Sequence, residues 1–267
     1  IAQRRELAGD IYQEYPATPE EAFTASRDGT FYLRTFNESC VRRGNVVTDL
    51  YDKNLYVDVY FDLGVDDYFV MSFVSWYRGE YRILDEYWNN GYNLVHYLEI
   101  AFDRGYDIRE LRFPHDIAVR ELGGDSSKGG GLAKSRLDIV NEWLKREGHD
   151  VRVSALPKTG IEQGIEAVRD MIPKMVIDKK CEYLISCFQN YSKEWDDKLQ
   201  VWKKTPRHDE FSHGADLLRG VALNVVESTS YNDTKQSTRN AGKQRSSSFA
   251  VYASLYINLL SLYGVFI

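Results

Sequence analysis

"LYVDVYFDLGVDDYFVMSFVSWYRGEYRILDEYW", residues 55–88, holds three runs of strand-forming residues in close succession. Leu55 to Asp62, Tyr68 to Tyr77 and Tyr81 to Trp88 are rich in Val, Phe, Tyr and Trp, the residues that suit a pleated, half-buried surface. The links between them are short and turn-forming, Gly64 with Asp66 and then Arg78 with Gly79. Links this short make neighbouring runs antiparallel, so the stretch predicts a three-strand meander.

Beyond Gly91 the periodicity changes. Leu94, Val95, Leu98 and Ala101 or Phe102 fall at helical spacing, and "IRELRFP" then reads as another strand. "SRLDIVNEWLKREG" repeats apolar residues at Leu137, Val140, Trp143 and Leu144 and stops at Gly148, as a helix does. "HDVRVSAL" predicts a short strand, "GIEQGIEAVRDMI" a helix broken at Pro173, and "CEYLISCFQNYSKEWDDKL" a longer helix. A meander followed by alternating helices and strands predicts an α/β fold, a mixed sheet of antiparallel and parallel strands flanked by helices.

Length and composition set the bounds. A chain of 267 residues that is 43% hydrophobic has enough apolar material for one large domain with appendages. Its net charge of -6 gives no general nucleic-acid signature, so any DNA contact must come from local basic groups. Cys40, Cys181 and Cys187 have no zinc-ligand spacing, and an odd count with no secretory leader fits a reducing compartment. The chain opens on Ile1, as expected for a piece of a longer protein.

Residues 1–50 read as a connecting region in which Thr18 caps a short helix after Pro16. Residues 51–226 carry the folded pattern. Glycines at 123, 124, 129, 130 and 131 exclude a regular element there and predict a surface loop or a flap beside Asp116. Residues 227–248 are polar, turn-prone and basic, and disorder is expected. Residues 249–267 carry no charge, yet Ser254, Asn258, Ser261 and Gly264 dilute the case for a membrane span, and no stable membrane association is expected.

Three acidic phrases stand out against this pattern: "YFDLGVDD" around Asp62, "LRFPHD" ending at Asp116, and "RHDEFSHGADLLR" with Asp209 and Asp216. The first two close strand-forming runs and the third opens an apolar helical stretch. Carboxylates gathered in this way would repel one another unless they held hard divalent ions. Each has a plainer reading: Asp62 as a strand-end turn residue, Asp116 as a helix N-cap before Ile117, and Asp216 as an ion-pair partner of Arg219 at i,i+3. None of these separately accounts for their joint order. His115, His208 and His213 lie beside the acids and suit hydrogen-bonded support of a carboxylate. Lys128, Lys134, Arg136, Lys158, Lys179, Lys180, Lys203, Lys204 and Arg207 are the candidate DNA contacts, through phosphates rather than bases.

From "YQEYPATPEEAF" to "SHGADLLRGVA" the chain resembles the C-terminal nuclease domain of the large terminase subunit of tailed bacteriophages. "EYPATPEEAF" resembles the phrase joining such a protein's packaging ATPase to its nuclease, and "DLGVDD", "PHD" and "SHGADLLR" resemble its successive acidic motifs. The resemblance implies a ribonuclease H-like fold and an endonuclease that cuts concatemeric viral DNA during packaging, in the cytoplasm of the bacterial host. It makes Asp62, Asp116 and Asp216 the catalytic and metal-holding acids, with Asp209 an alternative third ligand and Asp66 or Asp67 an accessory position. Two Mg²⁺ or Mn²⁺ ions bridged by Asp62 would activate a water and stabilise the leaving 3′-oxygen. Implied partners are double-stranded DNA, the portal, the small terminase subunit and the missing ATPase domain. No Gly-rich loop ending in Gly-Lys-Ser/Thr occurs, so no ATP site is expected in this chain. A ribonuclease H-like resolvase or strand-transfer enzyme would use the same acids, and a non-catalytic docking piece of the motor would need none.

Overall fold

The computed structural model describes residues 29–64, 68–119 and 134–224. In chain order these form α1 (Leu33–Phe36), a π-turn over Asn37–Val41, β1 (Val46–Val47), β2 (Val57–Asp62), β3 (Phe69–Tyr77) and β4 (Glu80–Asn89). Then follow α2 (Leu94–Asp103), β5 (Ile108–Phe113), α3 (Arg136–Glu147), β6 (Arg152–Ala155) and α4 (Ile161–Met171) with a 3₁₀ turn over Ile172–Lys174. The last elements are β7 (Met175–Asp178), α5 (Glu182–Asn190), β8 (Lys193–Asp196), β9 (Val201–Pro206) and α6 (Ser212–Asn224).

Seven strands make one sheet in the order β1-β7-β4-β3-β2-β5-β6, while β8 and β9 pair on their own. β2, β3 and β4 are the expected antiparallel meander. The β3–β4 link is a two-residue turn whose central residues, Arg78 (φ 51°) and Gly79 (φ 86°), both have positive φ, the geometry that matches strand twist. β5 and β6 add in parallel beyond β2, and β7 and β1 add in parallel beyond β4. With helices on both faces, this is a ribonuclease H-like mixed sheet.

Strand alternation sends the two sides of the sheet into two cores. Val57, Val59, Phe61, Met71 and Phe73 pack against α2 and α3, with Leu98, Val140 and Trp143 in the same cluster. Tyr60, Val70, Val74 and Ile83 face α4, α5 and α6 in the other. α3 is fixed at both ends as its sequence requires: Ser135 and Asp138 form a reciprocal capping box, and Gly148 (φ 75°) closes it in the left-handed region.

Several features depart from the sequence reading. Within the expected connecting region, Phe31, Tyr32, Phe36, Cys40 and Leu50 are buried, so residues 31–50 belong to the folded body; residues 1–28 lie outside the described part. The long helix expected over 181–199 ends at Asn190. Tyr191 turns extended (ψ 116°) because its neighbours pair with residues 29–31, Phe31 N–H bonding to Tyr191 O at 2.9 Å and Lys193 N–H to Gly29 O at 2.8 Å. The rest of that stretch becomes β8. Three strands, β1, β7 and β9, have no counterpart in the sequence reading. The glycine-rich loop, the basic tail and the uncharged last 19 residues lie outside the described residues; among the described ones no helix is long and apolar enough to cross a membrane.

A buried ionic cluster ties β2 to β5. Asp58, 6% exposed, accepts from Arg109 Nε at 2.8 Å and lies 3.3 Å from Arg112 Nε, and Arg112 also reaches Glu110 at 2.9 Å. Removing one member of such a cluster leaves charge without compensation. Asp58→Ala is therefore expected to lower stability by about 3 kcal/mol, measured as the urea-unfolding free energy with the slope unchanged; a loss below about 1 kcal/mol would show that water compensates the arginines.

Candidate metal centre

The site is built at the edge of the sheet where the parallel strands end. β2 finishes at Asp62, and β5, paired to it in parallel, finishes at Phe113, so the chain emerges into Pro114, His115 and Asp116 beside Asp62. Asp116 sits in consecutive turns, its carbonyl accepting from Val119 N–H at 2.8 Å, and no helix starts at Ile117, which removes the N-cap reading. α6 crosses the same edge and brings Asp216. The three acids line one cleft of about 320 Å³, together with Lys158, Gly160 and Arg219.

Small residues let α6 lie this close. A Cβ on Gly214 would run into Cys187 Sγ and the Tyr183 ring, and one on Gly164 of α4 would run into the Arg219 stem. Tyr183 also fastens the first turn of α6: its hydroxyl donates to Glu210 O at 2.5 Å and accepts from Gly214 N–H at 3.3 Å. Tyr183 in turn stands at the start of α5, where buried Glu86 replaces a side-chain cap by accepting from Tyr183 N–H at 2.7 Å and Leu184 N–H at 2.8 Å. Burial pushes the Glu86 carboxyl up to about 7 despite those two bonds.

Two of the three acids already have basic side chains beside them. His213 Nδ1 stands 3.6 Å from Asp62 Oδ2, and His208 lies one ring further, 5.6 Å from His213 between centroids. Arg219 Nη2 stands 2.6 Å from Asp216 Oδ1, the i,i+3 pair that the sequence suggested. The cleft walls desolvate Asp216 and raise its carboxyl to about 6, with Asp62 adding to the rise and Arg219, His213 and His208 opposing it.

The remaining candidates divide clearly. Asp209 is not on the cleft; its carboxylate accepts from Phe211 N–H at 3.0 Å in a turn before α6 and stands 3.5 Å from Arg207. His115 lines the cleft and is exposed; His208 shares a hydrogen bond with Ser212 at 3.1 Å. Among the described basic candidates Lys158 alone lines the cleft. Lys134 pairs with Glu142 at 2.7 Å, Lys203 with Glu194 at 2.6 Å, and Lys180 with Asp85 at 3.4 Å on the opposite face of the sheet. Arg136 begins α3, Lys179 N–H bonds to Val47 O, and Lys204 is exposed on β9. Asp66, Asp67 and Lys128 lie outside the described residues. Glu86, Tyr183, Gly164 and the cleft-facing role of Arg219 went unread in the sequence, because each acts through a contact distant along the chain.

The donor chemistry suits a hard divalent ion, since three carboxylates face one space. Among the described residues, however, no group of three His, Cys, Asp or Glu side chains stands close enough to hold a metal ion as it is. The acids share the cleft while two of them are turned to His213 and Arg219.

No family model matches the chain, and no curated protein matches it. Solved structures do. The large terminase from the thermophilic bacteriophage D6E in complex with ADP aligns over 74% of this chain at 15% identity, with a TM-score of 0.54. The same protein in complex with ATP-gamma-S aligns over 72% at 16% identity, with a TM-score of 0.52. The chain spans 45% of the length of each. The likeness establishes a large-terminase fold for this domain.

Asp216 gives the cleft a pH signature. An acid whose folded pKa lies above its unfolded value favours the fold while protonated; that contribution is complete below about pH 4 and is lost as pH rises through about 6. In urea unfolding with EDTA present, the stability of Asp216→Asn relative to the unsubstituted protein is expected to be higher at pH 8 than at pH 4. A difference independent of pH would contradict the raised value.

Proposed function

We propose that this domain is a divalent-metal-dependent DNA endonuclease that cuts concatemeric viral DNA during genome packaging. The observation that carries the reading is the meeting of Asp62, Asp116 and Asp216 on one cleft at the strand-end edge of a large-terminase fold. Active sites of open α/β sheets favour this edge, outside the carboxyl ends of the parallel strands.

In this reading Asp62, Asp116 and Asp216 hold two Mg²⁺ or Mn²⁺ ions. When bound, the ions supply a lowered water pKa and charge neutralisation at the phosphoryl oxygens and the leaving 3′-oxygen. Asp62 closes β2 and Asp116 lies in the turns just past the end of β5, two adjacent parallel strands, while Asp216 arrives on a helix and gives the site its adjustable side. His213 orients the Asp62 carboxylate and keeps a proton within reach of the cleft. Lys158 faces the same space and suits a backbone phosphate; Lys203 and Lys204 on β9 and Arg207 just after it are further candidates for phosphate contact away from the cleft lining. The fold contributes few other catalytic groups, as expected where positioned charge does most of the work.

The wider setting follows the same reading. An ATPase domain elsewhere in a longer protein, the portal and the small terminase subunit are the proposed partners, and the bacterial cytoplasm is the proposed compartment.

A supercoiled-plasmid assay tests the proposal. Nicking and linearisation are expected with Mn²⁺ or Mg²⁺ and none with EDTA, and Asp62→Asn or Asp116→Asn should reduce the rate by at least about 100-fold. Mn²⁺ at about 100 times its dissociation constant should also stabilise the domain by roughly 2.7 kcal/mol, a gain that Asp62→Asn should largely lose. Full activity in either variant, or equal activity in EDTA, would sink the reading.

A further inference from the structure

Arg219 is held more firmly than a surface ion pair requires. Its side chain is 16% exposed, and its guanidinium has two partners, Asp216 Oδ1 at 2.6 Å and the Tyr191 hydroxyl at 3.0 Å. Tyr191 is itself buried, 1% exposed, and stacks on Tyr32 at 5.6 Å between ring centroids. On the other side α4 passes so close that any side chain at Gly164 would strike the Arg219 stem. The arginine is thus boxed between α4, α6 and the end of α5, and it lines the cleft that holds the acids.

A cation at this place has two opposed effects. It satisfies Asp216 while no metal is present, and it disfavours any second positive charge in the same space. A divalent ion takes carboxylate oxygens as direct ligands and carries twice the charge, so it competes with Arg219 for Asp216. Once Asp216 turns away, the guanidinium keeps its anchor on Tyr191 and loses its anion. Its planar fork of donors then faces a cleft suited to phosphate, the anion it binds in bidentate fashion.

We propose that Arg219 exchanges partners during the working cycle, holding Asp216 in the metal-free protein and passing to a backbone phosphate of bound DNA when divalent ions claim Asp216. The exchange rests on the nuclease reading and deepens it by assigning one cation to the substrate. It also accounts for acids that share a cleft without forming a metal-ready cluster among the described residues.

The exchange requires effects of opposite sign, which a structural arginine would not produce. In the full chain at pH 8 without DNA, Arg219→Gln should bind Mn²⁺ several-fold more tightly by titration calorimetry, because Asp216 is released and a competing charge is gone. With Ca²⁺ in place of Mn²⁺ to hold DNA uncut, the same variant should bind a short duplex several-fold more weakly. Its plot of log affinity against log salt should lose about one unit of slope. Asp216→Asn, which retains the arginine and needs no altered packing, should tighten metal-free DNA binding more than Asp116→Asn does, and that extra gain should vanish in the Arg219→Gln background. Weaker Mn²⁺ binding by a folded Arg219→Gln protein, an unchanged salt slope, or equal gains from the two asparagine variants would overturn the exchange while leaving the nuclease reading standing. An unsubstituted protein that binds no Mn²⁺ would overturn both.

Discussion

The architecture depends on β2 being hydrogen-bonded to unlike neighbours, antiparallel to β3 on one side and parallel to β5 on the other. The antiparallel side comes from a short link, so it forms locally. The parallel side requires the chain to cross by way of β4 and α2 before β5 can return in the same direction. That return is what sets two acids side by side, since parallel strands end at the same edge and residues just past their ends become neighbours. Asp58 lies at the other end of β2, and its arginines on β5 lock the register that Asp62 and Asp116 need. The pairing that organises the sheet and the pairing that builds the cleft are therefore one interaction.

Gathering carboxylates at an edge creates repulsion, and the protein relieves it with basic side chains drawn from α6 itself. His213 and Arg219 lie on either side of Asp216 along that helix, at i−3 and i+3, so one face of α6 carries both an acid and the charges that balance it. The Asp216 carboxyl nonetheless stays raised, first because burial desolvates it and then because Asp62 stands near. Groups with shifted pKa values often mark functional clefts, because relieving the strain by ordinary packing would remove the reason for the site. Glu86 has a different meaning. Its carboxyl is also raised, but both oxygens are occupied by the start of α5, and it reaches the cleft only by holding Tyr183 against α6.

The parts of the fold that were legible in the sequence were those written in local terms. The meander showed in its β-branched and aromatic runs, α3 in its cap and its terminal glycine, and α4 in its apolar spacing up to Pro173. β7 leaves little trace in the sequence, since "MVID" is four residues long and follows a helix-breaking proline without a turn signal of its own. Tyr191 and Trp195 continue an apolar pattern, so the sequence from Cys181 predicts a helix longer than the one that forms. What ends it is a contact with residues 29–31, far away in sequence. The cleft divides in the same way. The positions of the acids at element ends could be read directly, whereas the roles of Gly164, Tyr183 and Glu86 exist only once α4, α5 and α6 are packed together.

The central claim is that Asp62, Asp116 and Asp216 act as one set of oxygen ligands. Crystals of the full chain soaked in Mn²⁺ and measured at the manganese absorption edge test it most directly. The account predicts anomalous peaks in the cleft, with oxygens of Asp62 and Asp116 at about 2.1–2.3 Å from an ion and Asp216 turned off Arg219 toward it. Peaks confined to other surfaces, with Asp216 still paired to Arg219 at saturating Mn²⁺, would contradict it.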